Sequence, residues 1–571
     1  MKNLLKYMRG YGKECVLGPL FKLLEATFEL FVPLVVAAIV DTGIANTDTP
    51  YIIKMCLVMG ALGLIGLACA VTAQYFAAKA AVGFAARLRH ALMEKILGLS
   101  YSQIDSVGGS TMVTRMTSDI NQVQNGVNLT LRLLLRSPFV VFGAMVMAFT
   151  IDFEAALVFA GVIPVLCLVV FGIMLITMPM YQTVQNRLDA VTSATRQNLS
   201  GVRVLRAFTK EQDQIRNFHE KTQELTVHQL SAGRISALLN PLTLVIVNLA
   251  VVILVHVGAI KVDTGVLTQG LVIALYNYMS QILVELVKMA NLIISITKAV
   301  ACGGRIQDVL AMEADQVNGT VSGQISGAVE FRDVHASYQG SAAPSLEQIS
   351  FTAEPGQTIG IIGGTGSGKS TLVNLIPRFY DTSAGAVLID GVNVLEYDAE
   401  SLRGQIGIVP QEAQLFKGSI RENLLWGNET ASDDDLWDAL CVAQAREVVK
   451  DKPGELDAMV EQGGANLSGG QRQRLTIARA LVRKPRILIL DDSASALDYA
   501  TDASLRMAIR NMKNPPTTFI VSQRAASVRF ADLILVLDDG MLVGQGTHEQ
   551  LLESCPVYQE IYYSQFPKEV R

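Results

Sequence analysis

Long apolar runs recur through the first 300 residues of the chain and then stop. Six of them are long enough to cross a lipid bilayer as helices, which takes about 20 residues each. They lie near 15–41, 52–78, 130–151, 155–178, 238–260 and 266–297. From about Gly327 onward the pattern is that of an ordinary soluble α/β domain. The chain is therefore predicted to have an all-α six-helix transmembrane domain (1–311), a linker (312–326) and an α/β domain (327–571).

The links between the apolar runs alternate between short and long. The short links, at 42–51, 152–154 and 261–265, contain a single basic residue, Lys261. The long links, at 79–129 and 179–237, contain many arginines, and lysines and an arginine also precede the first run. Because basic residues collect on the cytoplasmic side of membrane helices, both termini and both long links are expected in the cytoplasm. The chain is then a multi-pass protein of the cell membrane.

The long links continue the helical spacing of apolar residues, as at Phe84, Leu88 and Leu92. The spanning helices are therefore expected to extend beyond the bilayer. They would turn back in short segments near 101–109 and 201–209. The segment from Met1 to Lys13 alternates charged and apolar residues, which predicts a short amphipathic helix on the membrane surface, or else a flexible basic leader.

Several polar residues interrupt the apolar runs, although polar groups are costly inside a bilayer. Such side chains face protein or a water-filled cavity rather than lipid. They could line a substrate path or pair between helices, and the sequence leaves both interpretations open. The residues concerned are Glu25, Glu29, Asn248, Asn277, Gln281 and Glu285.

Composition adds little to this division. Charged residues make up 17% of the chain, against about 25% in soluble domains, and the deficit falls in the first 300 residues. The net charge of −5 gives no indication of a nucleic-acid partner. The seven cysteines form no C-x-x-C pair, which favours buried, reduced thiols over disulfides or a metal site.

The second domain contains a glycine-rich loop, GGTGSGKS, that fits the pattern G-x-x-x-x-G-K-[ST] between a strand-like and a helix-like stretch. Backbone N–H groups of such a loop surround the phosphates of ATP or GTP, the lysine adds positive charge, and the hydroxyl can ligate Mg²⁺. The predicted nucleotide-binding residues are Gly363, Gly364, Thr365, Gly366, Ser367, Gly368, Lys369, Ser370 and Thr371.

A second string, LSGGQRQR at 467–474, narrows this prediction. With the loop, it resembles the P-loop nucleotide-binding domain of ATP-binding cassette (ABC) transporters. Six membrane helices followed by one cassette resemble an ABC exporter half-transporter over nearly all 571 residues. The resemblance implies ATP and Mg²⁺ as ligands and a second half-transporter as partner. It also implies an amphipathic or hydrophobic substrate, such as a drug, a lipid or a peptide.

The same resemblance implies roles for single residues. Tyr338 would stack on adenine, Gln411 would contact Mg²⁺ beside the membrane helices, and Asp491 would hold Mg²⁺ with Ser370. The turns near 101–109 and 201–209 correspond to the family's coupling helices. The residues that would complete the ATP site of the partner subunit are Ser468, Gly469, Gly470, Gln471 and Asp498.

Two residues close to the chemistry depart from the family pattern. Asp492 stands where a glutamate polarises the attacking water, and Gln523 stands where the family has a switch histidine. A displacement of about 1 Å can cost about a hundredfold in rate, and glutamine cannot carry a proton as histidine does. Gln462 also departs in a neighbouring loop.

The LSGGQ string, in contrast, is intact. This asymmetry resembles the degenerate-site subunit of a heterodimeric multidrug-type ABC exporter. The chain's own site would then hydrolyse ATP slowly, and the competent site would be shared with the partner. Two alternatives remain: a homodimeric exporter with two weak sites, and an ATP-gated regulator or channel-like protein.

Overall fold

The computed structural model of the protein describes residues 2–313, 315–338, 343–493 and 495–566, with residue 2 described by its backbone alone. The chain forms two compact units. The first contains the residues up to 97 and residues 110–312, and the second contains residues 98–109 and the chain from 313 onward. Met1 and residues 567–571, at the ends of the predicted domains, lie outside the described residues. The predicted limits at 311 and 327 stay predictions.

The described part of the first 310 residues is helical. The α-helices are α1 Gly12–Ala38, α2 Thr49–Leu97, α3 Tyr101–Val107, α4 Gly109–Thr114, α5 Ile120–Leu133, α6 Arg136–Ile151, α7 Phe153–Ser200, α8 Val202–Ala207, α9 Glu211–Ala237, α10 Leu239–Asp263 and α11 Gln269–Leu310. Short π-helical segments, Ile39–Ile44 and Arg115–Asp119, continue α1 and join α4 to α5.

The six predicted spans are confirmed by length and composition. The first five lie within, and the sixth overlaps, one of six helical stretches whose most apolar windows have mean hydropathies between 1.5 and 2.8. Only the sixth begins later than predicted, at Gln269 rather than 266. The stretches are Gly12–Ile44, Thr49–Leu97, Gly109–Ile151, Phe153–Ser200, Glu211–Asp263 and Gln269–Leu310.

The predicted extensions and turns are also present. Helices α2 and α7 contain 49 and 48 residues, which makes each about 70 Å long, against about 30 Å for the hydrocarbon core. Helix α3 begins with a capping box in which Ser100 Oγ accepts from the Gln103 N–H at 3.2 Å. It ends at Gly108, whose φ of 83° lies outside the helical region.

The interior of the first unit packs aliphatic and aromatic side chains between α1, α6, α7, α10 and α11. Tyr278 is fully buried there, and its hydroxyl donates to the Leu30 carbonyl at 2.6 Å. Large apolar side chains such as Leu57, Leu64 and Leu168 are more than two-thirds exposed on the outside. An apolar exterior of this kind suits contact with lipid.

The amino-terminal segment differs from the prediction. Residues Lys2–Met8 form a 3-10 helix rather than part of one amphipathic α-helix reaching Lys13. Leu4 is buried against protein, so the apolar side that would face the membrane surface is partly covered. Leu5 remains half exposed.

The second unit is built on a ten-stranded sheet with the order β5-β4-β1-β2-β12-β11-β3-β10-β9-β6. The strands are β1 Val329–Ala336, β2 Leu346–Ala353, β3 Thr358–Gly363, β4 Ala384–Ile389, β5 Val392–Asn393, β6 Ile406–Val409, β7 Gly418–Ser419, β8 Met459–Val460, β9 Ile487–Asp491, β10 Thr517–Val521, β11 Leu533–Asp538 and β12 Met541–Gly546. Strands β7 and β8 form a separate pair. The helices are α12 Lys369–Leu375, α13 Ala399–Arg403, α14 Ile420–Leu425, α15 Asp433–Val442, α16 Arg446–Lys450, α17 Gly469–Val482, α18 Tyr499–Arg510, α19 Ala525–Val528, α20 His548–Ser554 and α21 Pro556–Gln565, with 3-10 turns at Glu455–Asp457 and Gln462–Gly464.

Strands β11, β3, β10, β9 and β6 run parallel to one another. Their side chains alternate between two cores: Ile487 and Ile489 face one, and Leu488 and Leu490 face the other. Burial on both faces explains why these strands are almost wholly apolar. The parallel pairing brings the carboxyl ends of these strands to one edge of the sheet, where nucleotides bind in folds of this type.

Each of the seven cysteines is among the described residues and is a free thiol, as predicted. Cys69, Cys302 and Cys555 are buried. Cys56 and Cys441 are exposed, which corrects the expectation that all of these thiols are buried.

Candidate nucleotide-binding site

The glycine-rich loop joins β3 to α12 at the carboxyl edge of the parallel strands. Gly368 has a φ of 91°, in the region that favours glycine, and it allows the loop to turn directly into the helix. Gly363 lies behind the loop, where a Cβ would come within 2.1 Å of the Leu537 carbonyl oxygen. Close packing and positive φ thus explain two of the glycines in the motif.

Lys369 turns back over its own loop. Its ammonium group donates to the Gly363 carbonyl at 3.0 Å, to the Gly364 carbonyl, and to Ser367 Oγ at 3.3 Å. Burial lowers the pKa of Lys369, and the charges of Asp492 and Asp491 oppose that shift. A cation held among carbonyl groups at the mouth of this loop is placed to meet phosphate oxygens.

Ser370 and Asp491 provide the oxygen atoms that a magnesium ion requires. Ser370 Oγ donates to Asp491 Oδ1 at 3.0 Å, so the hydroxyl and the carboxylate already adjoin. Burial raises the pKa of Asp491; the hydrogen bond from Ser370 opposes this rise, and the neighbouring charge of Asp492 adds to it. Hard oxygen donors of this kind fit Mg²⁺, which is bound through one or two protein oxygens together with substrate phosphates.

Asp492 follows directly on Asp491 at the end of β9. Its N–H donates to the Val521 carbonyl at 3.0 Å, and its φ of 45° is left-handed, a conformation that aspartate tolerates better than most residues. Burial raises the pKa of Asp492, while Arg524 and Lys369 act to lower it. The carboxylate thus stands beside the loop lysine.

One cavity of about 460 Å³ brings most of the predicted nucleotide-site residues together. Tyr338 forms part of its wall, and the Tyr338 hydroxyl lies 3.0 Å from Thr371 Oγ1. Gly363 and Gly364 are not among the described residues that line it. Those that do are Tyr338, Thr365, Gly366, Ser367, Gly368, Lys369, Ser370, Thr371, Gln411, Asp491, Asp492 and Gln523, joined by the unpredicted residues Ala343, Pro344, Ser345, Val521, Ser522, Asp539 and Gly540.

The LSGGQ segment lies apart from this cavity. The described residues lining the cavity include none from 468–471. Ser468 is exposed and caps α17, since its Oγ accepts from the Gln471 N–H at 3.3 Å. Asp498 is likewise exposed and caps α18, and its Oδ1 accepts from the Thr501 N–H at 2.8 Å. Both helix starts therefore face outward.

The turn at 98–109 packs within the second unit. Tyr101 stacks on Phe379 with ring centroids 4.4 Å apart, and the Tyr380 hydroxyl donates to Asp105 Oδ2 at 2.7 Å. The Tyr380 ring also meets Tyr338 edge-on at 5.1 Å. Burial raises the pKa of Tyr380, and the bond to Asp105 raises it further. Two aromatic contacts thus connect the turn with the wall of the nucleotide cavity.

Polar residues of the first unit gather around Arg136, whose importance the sequence analysis missed. Arg136 is buried, and its guanidinium donates to Glu285 Oε1 and to Glu29 Oε2, both at 2.6 Å. Ser137 and Lys288 donate to the same Glu285 carboxylate. The signal that could have identified Arg136 was an arginine and a serine inside the predicted third span.

A cavity of about 430 Å³ lies beside this cluster and is lined by Glu29, Asn277, Gln281 and Glu285. The structure separates the other two predicted residues from it. Glu25 pairs with Lys22 of its own helix at 2.6 Å, and Asn248 is exposed on α10. Neither is among the described residues that line the cavity, so the six predicted residues do not form one group.

Comparisons with known proteins agree with this geometry. Family models described as "ABC transporter transmembrane region" and "ABC transporter" match residues 15–286 and 346–495. The uncharacterized ABC transporter ATP-binding protein YfiB of Bacillus subtilis is 36% identical over 570 residues, covering 100% of this chain and 99% of YfiB. The chain belongs to the ABC transporter family.

Two further relatives of this ABC transporter are informative. The probable multidrug resistance ABC transporter ATP-binding/permease protein YheI of Bacillus subtilis is 32% identical over 489 residues, covering 84% of this chain and 82% of YheI. A solved structure of a bacterial Atm1-family ABC exporter with ATP bound has the same fold, with a TM-score of 0.80 at 22% identity over 97% of this chain and 99% of that one.

The chain is thus a membrane-embedded ABC half-transporter that pairs with another subunit. It is an ATP hydrolase of the class that couples hydrolysis to transport.

Proposed function

We propose that the chain is the degenerate-site subunit of a heterodimeric ABC exporter that moves amphipathic or hydrophobic compounds. One observation carries the proposal. Asp492 and Gln523 line the same cavity as the phosphate-binding loop, whereas the described lining of that cavity includes nothing from the intact LSGGQ segment. The two departures therefore act on the chain's own site, and the intact segment serves another subunit.

Each departure weakens a specific catalytic task. Asp492 is one methylene shorter than glutamate, so its carboxylate reaches less far toward an attacking water and is a poorly placed base. The exposed Gln523 side chain can hydrogen-bond a γ-phosphate but cannot accept its proton. Lys369, Ser370, Asp491 and Gln411 would still hold ATP and Mg²⁺. Such a site binds nucleotide well and cleaves it slowly.

The experiment compares two substitutions in the assembled transporter. Asp492→Asn should change ATP turnover by less than about twofold, because the slow site contributes little. Ser468→Arg should reduce turnover by about a hundredfold, since it inserts a bulky side chain where the partner's ATP is gripped.

Ser432→Arg is the matched control. Ser432 caps α15 with the same capping box as Ser468 in α17, so Ser432→Arg removes an equivalent cap away from the nucleotide. The opposite ranking of Asp492→Asn and Ser468→Arg would mean that the two sites are exchanged. Brisk turnover by a complex of identical copies would favour the homodimeric exporter.

The cavity beside Arg136 is proposed as part of the substrate path. Arg136 and Lys288 balance the charges of Glu29 and Glu285. The cavity wall also contains the uncharged polar residues Asn277, Ser280 and Gln281 together with valine and proline side chains. The name of the relative YheI, a probable multidrug resistance transporter, supports a broad amphipathic substrate range.

The test of this path uses a fluorescent amphipathic dye and leucine substitutions. Gln281→Leu or Asn277→Leu should raise the dye concentration needed for half-maximal stimulation of ATP turnover. Asn248→Leu, outside the cavity lining, is the control. Equal effects at all three positions would contradict the proposal that this cavity is part of the substrate path.

A further inference from the structure

The loop that carries Gln523 is held by a residue from the far end of the chain. Gln565, the last residue of α21, donates through Nε2 to the Gln523 carbonyl at 2.8 Å and accepts through Oε1 from the Ala525 N–H at 2.9 Å. A single side-chain amide therefore bridges the residues on both sides of Arg524. The two contacts join residues that are 42 and 40 positions apart in sequence.

This bridge completes the start of α19. The first N–H groups of a helix have no partner inside the helix, and side chains commonly satisfy them from the residue before the helix. Arg524 precedes α19 but provides no side-chain cap among the described contacts. Gln565 supplies an acceptor for Ala525 from another element instead, so the loop conformation depends on where α21 ends.

Helix α21 is firmly placed. Tyr558 is fully buried in the core, and its hydroxyl lies 2.8 Å from His548 Nδ1 of α20. Tyr562 packs against the same core and stacks on Phe566 at 5.0 Å. Because packed residues flank Gln565 on both sides, its amide is presented to the loop from a well-defined position.

The other side of the loop is tied to the segment that leads into α18. Arg524 donates to the Leu497 carbonyl at 3.2 Å and to the Ser495 carbonyl at 3.1 Å. Ser495 Oγ in turn donates to the Asp492 carbonyl at 2.8 Å. Gln523 thus lies between two attachments, one to α21 and one to the residues that follow Asp492.

We propose that Gln565 is a positioning residue for Gln523, and that α21 thereby sets how long the chain's own site retains ATP. The inference rests on the proposed function, in which this site holds nucleotide for long periods. It assigns α21 a role in nucleotide retention through the γ-phosphate end of the cavity. The Gln523 side chain itself is not altered when Gln565 is replaced.

The experiment measures release of methylanthraniloyl-ATP and methylanthraniloyl-ADP, with Mg²⁺, from the full-length protein in the assembly in which it purifies. The part of the fluorescence signal that is lost in the Lys369→Ala variant is assigned to the chain's own site.

Gln565→Ala should speed ATP release from this site by about fivefold, the effect of losing an ordinary hydrogen bond, and should leave the association rate unchanged. ADP release should not change, because the proposal has Gln523 act on the γ-phosphate, which ADP lacks. Gln565→Glu, which can still accept from Ala525 but cannot donate to Gln523, should also speed ATP release.

Gln559→Ala is the matched control, because Gln559 lies on the same helix and bonds the Leu552 carbonyl rather than the loop. It should leave both release rates unchanged.

In a Gln523→Ala background, Gln565→Ala should have no further effect on ATP release. The proposal is overturned if Gln565→Ala leaves ATP release unchanged, if ADP release rises equally, or if the effects of Gln523→Ala and Gln565→Ala simply add. None of these readouts depends on whether the second subunit is identical, so failure of the heterodimer proposal would be seen separately.

Discussion

Asp492 and Gln523 together are expected to set the speed of the chain's own ATP site. Asp492→Glu combined with Gln523→His should restore a longer carboxylate and an imidazole, and should raise turnover at this site by about tenfold or more. Turnover would be measured with the partner-facing Ser468→Arg substitution present, which silences the other site. No increase in ATP turnover would show that the residues which the partner contributes to this site limit its rate.

The left-handed backbone at residue 492 affects how that experiment is designed. Glutamate tolerates a φ of 45° less well than aspartate or asparagine. Asp492→Glu is therefore expected to lower the melting temperature slightly, whereas Asp492→Asn should not. Thermal unfolding of both variants separates this backbone cost from the change in turnover.

Arg136 shows how strongly burial changes the value of an ion pair. Arg136–Glu285 and Arg187–Glu224 have nearly equal N–O distances, 2.6 and 2.7 Å, but the first pair is buried and the second is about half exposed. Arg136→Met leaves the buried Glu285 carboxylate without its guanidinium partner and should cost about 3–5 kcal/mol. Arg187→Met should cost about 0–1 kcal/mol. Thermal unfolding in lipid nanodiscs compares the two, and equal losses would contradict the assigned burial.

At the scale of elements, the turn that contains α3 is expected to transmit substrate binding to the cassette. Tyr380→Phe removes only the hydroxyl that bonds Asp105 and keeps the ring against Tyr338. Basal ATP turnover should stay within about twofold, while stimulation by transported dye should fall several-fold because the turn loses its polar attachment. Tyr397→Phe is the control, since the Tyr397 hydroxyl bonds the Ile389 carbonyl within the cassette.

A double-mutant cycle makes this test specific. If the hydroxyl acts through Asp105, the effects of Tyr380→Phe and Asp105→Ala on stimulation should not add. Additive effects, or full stimulation in Tyr380→Phe, would mean that the turn acts through its stacked rings, Tyr101 on Phe379, instead.

The elements that could be predicted from sequence are those with local signals. Apolar runs identify the spans, and the glycine-rich loop between β3 and α12 is recognisable from eight consecutive residues. The contacts that escaped prediction join distant parts of the chain: Arg136 reaches Glu29 and Glu285 across 107 and 149 residues. Periodicity reports which face of a helix is apolar but not which helix lies opposite. For the same reason, the sequence could not tell which of the six polar residues line one cavity and which do not.

Gln565 illustrates a second limit. Its position at the end of α21 has no motif, and an exposed glutamine near the end of a chain is ordinary in sequence. Only the fold shows that its amide meets both Gln523 and Ala525. In contrast, the departures at Asp492 and Gln523 were visible at once, because each interrupts a string whose other residues match the family.

At the scale of the whole molecule, the distribution of basic residues predicts the orientation in the membrane. If the long links and the cassette are cytoplasmic, the link between α1 and α2 faces outside. Asn46 is exposed in that link, and Cys441 is exposed in the cassette. A thiol reacts with maleimide as the thiolate in water, so a membrane-impermeant maleimide reports which side each position faces.

In intact cells, Asn46→Cys in a Cys441→Ser background should be labelled, because its thiol meets the external solution. Cys441 in the otherwise unchanged chain should be labelled only after the membrane is permeabilised. Cys56, exposed on the apolar surface of α2, should resist labelling in both conditions, since lipid excludes the reagent and the thiolate. Labelling of Cys441 in intact cells would invert the topology, place the ATP cavity outside the cell and remove the basis for ATP-driven export.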